Sequence, residues 1–262
     1  MEFLTSMVAS IMSVVCTQPM DVVKTQFQVA RLNSSNPKTL SIIKNIAKTT
    51  GLKGFYRGLT PSLISYPIFW GSYFPIKNYN FKPSGYNMID KFIVACGASS
   101  IASTITNPLF VIKTRVQTLD TNYSQSINQD KTNYKKLCKS IYFEEGIRGF
   151  YKGFKPTIIN NTKLSIQFPI YEYLKKKTNS IIFASGLAKV FASTIFYPMD
   201  LIRVNQRDSI KKMSITETSK QIYKKSGIIG FYRGILIYNI VNGTNFILMM
   251  IFKEYIDNKI DS

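Results

Sequence analysis

Asp21 and Asp200 each follow a proline by two positions (Pro19, Pro198) and precede a cation by three (Lys24, Arg203). Side chains three apart share one helix face, so each pair presents an acid beside a base. A third proline, Pro108, is followed five positions on by Lys113, but Phe110 stands where the acid would be. Charges in this pattern suit ion pairs that form and break; they include no nucleophile with a base to activate it. The chain has no histidine, which excludes His-based acid–base catalysis, His metal sites and a Ser-His-Asp triad. Cys16, Cys96 and Cys138 sit at unrelated spacings and make neither a disulfide framework nor a Cys-x-x-Cys zinc site. No metal, no cofactor and no enzymatic reaction are expected.

The elements that carry these charges repeat. The three prolines lie 89 and 90 positions apart, in Gln18-Pro-Met-Asp-Val-Val-Lys24, Asn107-Pro-Leu-Phe-Val-Ile-Lys113 and Tyr197-Pro-Met-Asp-Leu-Ile-Arg203. A second motif follows each: Gly54-Phe-Tyr-Arg-Gly58, Gly149-Phe-Tyr-Lys-Gly153 and Gly230-Phe-Tyr-Arg-Gly234. Two motifs, each present three times in one order, define repeats at 1–85, 86–178 and 179–262. Within each, an apolar stretch rich in small residues runs through the proline. A polar loop, a short amphipathic helix and a glycine stop (Gly51, Gly146, Gly227) come next. A second apolar helix closes the repeat. The pattern predicts six long helices and three short ones, the latter near Thr39–Thr50, Asn133–Glu145 and Ser214–Lys225, in one structural domain.

The 262 residues carry 34 Lys+Arg against 14 Asp+Glu, a formal charge of +20. Such an excess fits nucleic acid, an anionic membrane surface or an anionic ligand. The cations collect in loops and at helix ends (Lys175–Lys177, Lys211–Lys212, Lys224–Lys225) rather than along one helix face. A soluble helical nucleic-acid binder therefore remains only a remote alternative, and no nucleic acid is expected as partner. No stretch reaches 18 uninterrupted strongly apolar residues, which fits either a soluble bundle or membrane helices that each turn one polar face to a wet cavity. Met1–Ser13 shows no secretory signal or Arg-rich transit peptide.

The repeated Pro-x-[Asp/Glu]-x-x-[Lys/Arg] with its downstream aromatic-basic-glycine element resembles the mitochondrial carrier family over essentially the whole chain. The resemblance implies an all-α membrane protein: six transmembrane helices and three short matrix helices in threefold pseudosymmetry around a central cavity. It implies a monomer in the mitochondrial inner membrane with both termini toward the intermembrane space. It further implies a matrix gate of Asp21 paired with Lys113 and Asp200 with Lys24, Arg203 being left without a partner. Gln28 and Gln117 fall at the family's bracing positions, where repeat three has Arg207. Glu172 and Lys175 match the cytosolic gate motif, whose counterparts in the other repeats are degraded, so a weak latch is expected there. Arg57-Gly58, Lys152-Gly153 and Arg233-Gly234 match the family's cardiolipin sites; an interfacial aromatic–cation belt is the alternative.

Thr106-Asn-Pro-Leu-Phe-Val-Ile-Lys-Thr-Arg115, Trp70-Gly-Ser-Tyr-Phe74 and Gln167-Phe-Pro-Ile-Tyr-Glu172 resemble the branch that carries NAD, FAD, folate and pyrimidine nucleotides. Lys189 matches that branch's lysine before the third proline. It stands 11 positions before Asp200, within ~20° of three full turns and roughly 16 Å along the helix. Lys189 therefore faces the cavity, where an intramembrane cation is a candidate for function. By resemblance the substrate contacts are Ser65, Tyr66, Asn160, Asn161 and Asn242, the last beside Val241 where related carriers have arginine. Lys163 also points inward, and Trp70 and Tyr73 offer rings for stacking or for packing between helices. The implied substrate is a small anionic metabolite of the nucleotide type, moved by alternating access. A carrier of carboxylates, amino acids or S-adenosylmethionine is the alternative.

Overall fold

The computed structural model describes residues 2–33, 39–79, 88–118, 134–211, 213–232 and 234–261. Nine α-helices lie among them: α1 (Glu2–Asn33), α2 (Thr39–Thr50), α3 (Leu59–Tyr79), α4 (Met88–Thr118), α5 (Tyr134–Glu145), α6 (Phe154–Thr178), α7 (Ile181–Asp208), α8 (Ile215–Ser226) and α9 (Ile235–Asp261). Six long and three short helices were expected, and six long and three short are present. Arg233 of the third aromatic-basic-glycine element lies outside the described residues.

The long helices pack in a closed ring, α1 against α3, α3 against α4, α4 against α6, α6 against α7, α7 against α9, and α9 back against α1. Small residues permit the close approach: Ala9, Ala98, Ala102, Ala184, Ala188 and Ala192 are buried between helices. Facing outward are apolar stripes at helical spacing, such as Leu4, Val8, Ile11 and Val15 on α1 and Phe183, Leu187, Val190 and Phe191 on α7. Apolar side chains outside and polar ones inside is the order expected of helices in lipid around a wet centre. Four stretches are long and apolar enough to cross a membrane, Leu4–Ala30, Phe92–Thr118, Ile181–Asp208 and Ile228–Lys259. Helices α3 and α6 are not among these stretches; α6 carries Asn160, Asn161, Lys163, Gln167 and Glu172 along its length. Hydroxyls within the spans bond back to their own helix, as Thr17 does to the Ser13 carbonyl at 2.8 Å and Thr106 to that of Ala102 at 2.7 Å.

Each short helix packs beneath the C-terminal half of the long helix before it. Ile42 and Ile46 of α2 meet Val22, Val23 and Phe27; Leu137 and Ile141 of α5 meet Ile112 and Val116; Ile222 of α8 meets Leu201 and Ile202. The three short helices thus mark one end of the ring, and the chain termini mark the other. Helix α8 starts on a capping box, with Ser214 Oγ accepting from the Glu217 amide and the Glu217 carboxylate accepting from the Ser214 amide.

The aromatic-basic-glycine elements sit where one repeat meets the next. Gly153 has φ +71°, and a Cβ there would lie 2.9 Å from the Arg203 carbonyl oxygen on α7. Gly58 has φ +72°, and a Cβ there would lie 3.3 Å from the Lys113 carbonyl oxygen on α4. Both the backbone angle and the approach of the neighbouring helix demand glycine.

Candidate functional site: an inward-facing cationic cavity

Asp21 and Asp200 organise two clusters at the mid-depth of the ring. Asp21 takes Lys24 of its own helix at 2.5 Å and Lys113 of α4 at 2.7 Å. Gln117 adds a hydrogen bond to the same carboxylate at 3.1 Å, one helical turn below Lys113. The Asp21–Lys113 pair and a glutamine beside it stand as expected. Asp200, fully buried, takes Lys163 of α6 at 2.9 Å and a bond from Asn160 Nδ2 at 2.6 Å, with Tyr238 and Arg203 also donating.

Two expectations are corrected here. Lys24 does not pair with Asp200; beyond Asp21 it meets Asn242 Oδ1 at 3.4 Å and the Tyr238 ring at 5.6 Å. Arg203 is not partnerless, because Asp200 one turn earlier on α7 accepts from it. Lys163 on α6 holds Asp200, where Lys24 was expected, and Lys24 pairs with Asp21 on its own helix. Ion pairs therefore join α1 to α4 and α6 to α7, while none joins α7 to α1 among the described residues. Of the two bracing glutamines, Gln117 has the bond just named, whereas neither amide atom of the buried Gln28 side chain has a partner.

One cavity runs past these clusters. Its wall includes Tyr66, Trp70, Asn160, Asn161, Lys163, Lys189 and Asn242, and on the short-helix side Gln28, Gln117 and Arg207. Lys189 lies in this wall as the helical spacing requires, its Nζ 3.3 Å from Gln167 Oε1 and 5.2 Å from the centre of the Phe246 ring. Tyr66 accepts from Lys113 at 3.1 Å, and its ring lies edge-on to Phe110. Asn161 exchanges hydrogen bonds with Ser103 at 3.0 and 3.3 Å, and Asn160 Oδ1 is left without a partner. Ser65 and Tyr73 do not line the cavity. Ser65 turns back to the Ser62 carbonyl, and Tyr73 is wholly buried, stacked on Phe168 at 5.5 Å.

Toward the termini the cavity ends at an aromatic layer in which Trp70, Tyr73, Phe74, Phe168 and Phe246 pack on one another. Above that layer Lys175 of α6 pairs with Glu254 of α9 at 2.9 Å. Glu172, expected in this latch, is exposed, and the carboxylate that meets Lys175 is that of Glu254. Glu254 was missed because it stands outside the repeated motif, directly after the degraded Phe252-Lys253 counterpart. On the short-helix side, Gln18 donates to the Arg57 carbonyl at 2.7 Å and Asn107 to that of Phe150 at 2.9 Å. The residue before the proline thus ties each of those kinked helices to its aromatic-basic-glycine element.

Outside the spans, Glu145 binds both Arg115 and Lys152 at 2.7 and 2.6 Å, and Lys152 also donates to the Ser209 and Ile210 carbonyls. Burial alone would push the Glu145 carboxyl up, but the hydrogen bonds from Arg115 and Lys152 outweigh it and hold the group below the usual carboxylate range. Lys152 borders a groove of about 1090 Å³ between the start of α6 and the start of α8. Its ammonium is consumed by these partners, so the free cations at the groove's rim are the exposed Arg148 and Lys155.

A ring of six helices in three sequence repeats, with acid–base pairs after the prolines of repeats one and three and a cationic cavity at its centre, describes a solute carrier. The chain belongs to the mitochondrial carrier protein family, whose profile matches residues 1–80, 84–181 and 177–261. It is 34% identical to the chloroplastic nicotinamide adenine dinucleotide transporter 1 of Arabidopsis thaliana, over 82% of this chain and 78% of the relative. It is 28% identical to the mitochondrial nicotinamide adenine dinucleotide transporter 1 of Saccharomyces cerevisiae, over 97% of this chain and 75% of the relative. Human solute carrier family 25 member 33 is 29% identical over 84% of this chain and 82% of its own length.

Proposed function

We propose that this protein carries a nucleotide-type anion, a nicotinamide dinucleotide or nucleoside phosphate, across the mitochondrial inner membrane by alternating access. The observation that carries the reading is Lys189: a cation inside a span, in the cavity wall, with no carboxylate against it among the described residues. A phosphate is the natural counter-ion for such a group. Amides at Asn160 and Asn161 suit the edge of a base, and Trp70 and Tyr66 suit its face. The likeness to dinucleotide transporters from a plant and a yeast supports the same class. The carrier works as a monomer with its termini toward the intermembrane space.

The cavity measures about 170 Å³, below the roughly 300–1,000 Å³ typical of small-molecule sites. A nucleotide therefore enters only when one closure opens. The Lys175–Glu254 latch and aromatic layer form one closure; the Asp21 and Asp200 clusters form the other. Substrate binding that offsets the loss of either set of contacts drives the exchange between the two states. An anionic phospholipid such as cardiolipin occupies the groove beside α8, its acyl chains against Tyr151, Phe154, Ile210 and Ile215 and its headgroup near Arg148 and Lys155.

Uptake into proteoliposomes tests the transport reading with a panel of NAD, nucleoside mono-, di- and triphosphates, folate and carboxylates. Uptake of NAD or a nucleotide is expected. Uptake confined to carboxylates or amino acids would replace this reading with the alternative.

A further inference from the structure

Nine positions after each repeat's proline come Gln28, Gln117 and Arg207, which line the cavity on its short-helix side. Arg207 is 5% exposed and has no carboxylate partner among the described residues. Its Nη2 donates to the neutral oxygens of Asn107 at 2.9 Å and Thr157 at 3.2 Å, its face lies 5.4 Å from the Phe110 ring, and its Nε is unpaired. Across the same layer, both amide atoms of Gln28 are buried and unpaired. A guanidinium buried this deeply without a counter-charge is costly unless an anion visits it. The unsatisfied amide of Gln28, in the wall of the same cavity, supplies a further donor.

Lys189 and Arg207 are 18 positions apart on α7, which is five full turns and about 27 Å of rise, so they lie on one face of the helix. The two acid clusters stand between them and neutralise much of the charge of Lys24, Lys113, Lys163 and Arg203. Among the described residues, Lys189 and Arg207 are thus the cavity cations that touch no acid, one on each side of the gate. We infer that Arg207, with Gln28, forms a second phosphate-binding subsite on the short-helix side of the gate, which receives the substrate's phosphate before or after Lys189 does. Phe110, which replaces the acid in repeat two, is part of this subsite: a carboxylate there would neutralise Arg207, whereas the ring supports it and leaves its edge free. The inference rests on the nucleotide reading above and extends it.

The test is ligand-dependent thermal stabilisation of the purified full chain by AMP, ADP, ATP and NAD. The native protein should show an affinity that rises with phosphate number. Arg207→Gln, which installs the residue type of the other two repeats, should weaken the phosphorylated ligands roughly tenfold or more and flatten that dependence. Arg207→Lys should retain most of the affinity. Arg207→Gln should melt, without ligand, close to the native protein, since relief of the buried, unpaired charge offsets the lost hydrogen bonds and the Phe110 contact. Unchanged ligand affinities in Arg207→Gln would overturn the subsite while leaving the nucleotide reading intact. No shift with any nucleotide in the native protein would refute both.

Discussion

A methyl group added at Gly153 would sit 2.9 Å from the Arg203 carbonyl oxygen and 3.0 Å from Arg207 Cγ, at a backbone φ of +71°. The left-handed backbone costs about 1–2 kcal/mol for a residue with a Cβ. The clash with α7 adds about 1–3 kcal/mol, because a backbone carbonyl cannot swing aside as a side-chain tip can. Gly146 supplies the control. Its φ is +66°, but nothing lies within 4 Å of the Cβ it would carry. Gly146→Ala should lose only the first amount, and Gly153→Ala both. The difference corresponds to roughly 2–12 °C in melting temperature for a chain of this size. Melting in detergent, with and without added cardiolipin, reads it. The excess loss at Gly153 should persist without lipid, since the contact lies within the protein. Equal losses at the two glycines, or an excess that exists only with lipid present, would refute the packing argument and return Gly153 to a purely lipid-binding role.

Two further outcomes follow from the geometry. Glu254→Gln removes the Lys175 latch and should favour the state open toward the termini, read as faster labelling of a cysteine introduced at Trp70; an unchanged labelling rate would contradict the latch assignment. Glu145 has a folded-state pKa held below its ordinary value near 4.5, so it binds fewer protons folded than unfolded. Its stabilisation is present above that ordinary value and is lost as the pH falls through the lower folded-state value. Melting curves from pH 7 to pH 3 should show Glu145→Gln less stable than the native chain at neutral pH and converging with it in acid; a constant gap would refute the pairing.

The architecture is legible in the repeated motifs themselves. Period and order locate all nine helices, because proline, glycine stops and small residues act locally on backbone and packing. Helical spacing likewise puts Lys189 in the cavity wall. What spacing leaves open is which neighbour a long side chain reaches. Lys24 and Lys163 both approach the gate, and only the packing of α6 against α7 decides that Lys163 takes Asp200. Counting from the glycines puts Ser65 on the cavity wall, but the side chain faces its own helix carbonyl instead. Glu254 carries no signal because nothing repeats it. Arg207 is visible as an odd residue in a glutamine position, yet its lack of a counter-charge depends on where Asp208, Asp200 and Glu145 find their own partners.

The most direct test of the central claim is the rate of NAD or nucleotide exchange in proteoliposomes by the native chain and by Lys189→Ala, compared at equal reconstituted amounts. The account predicts exchange by the native protein and its loss in the variant, with the variant still folded by its melting curve. Nucleotide exchange at the native rate by folded Lys189→Ala would contradict it.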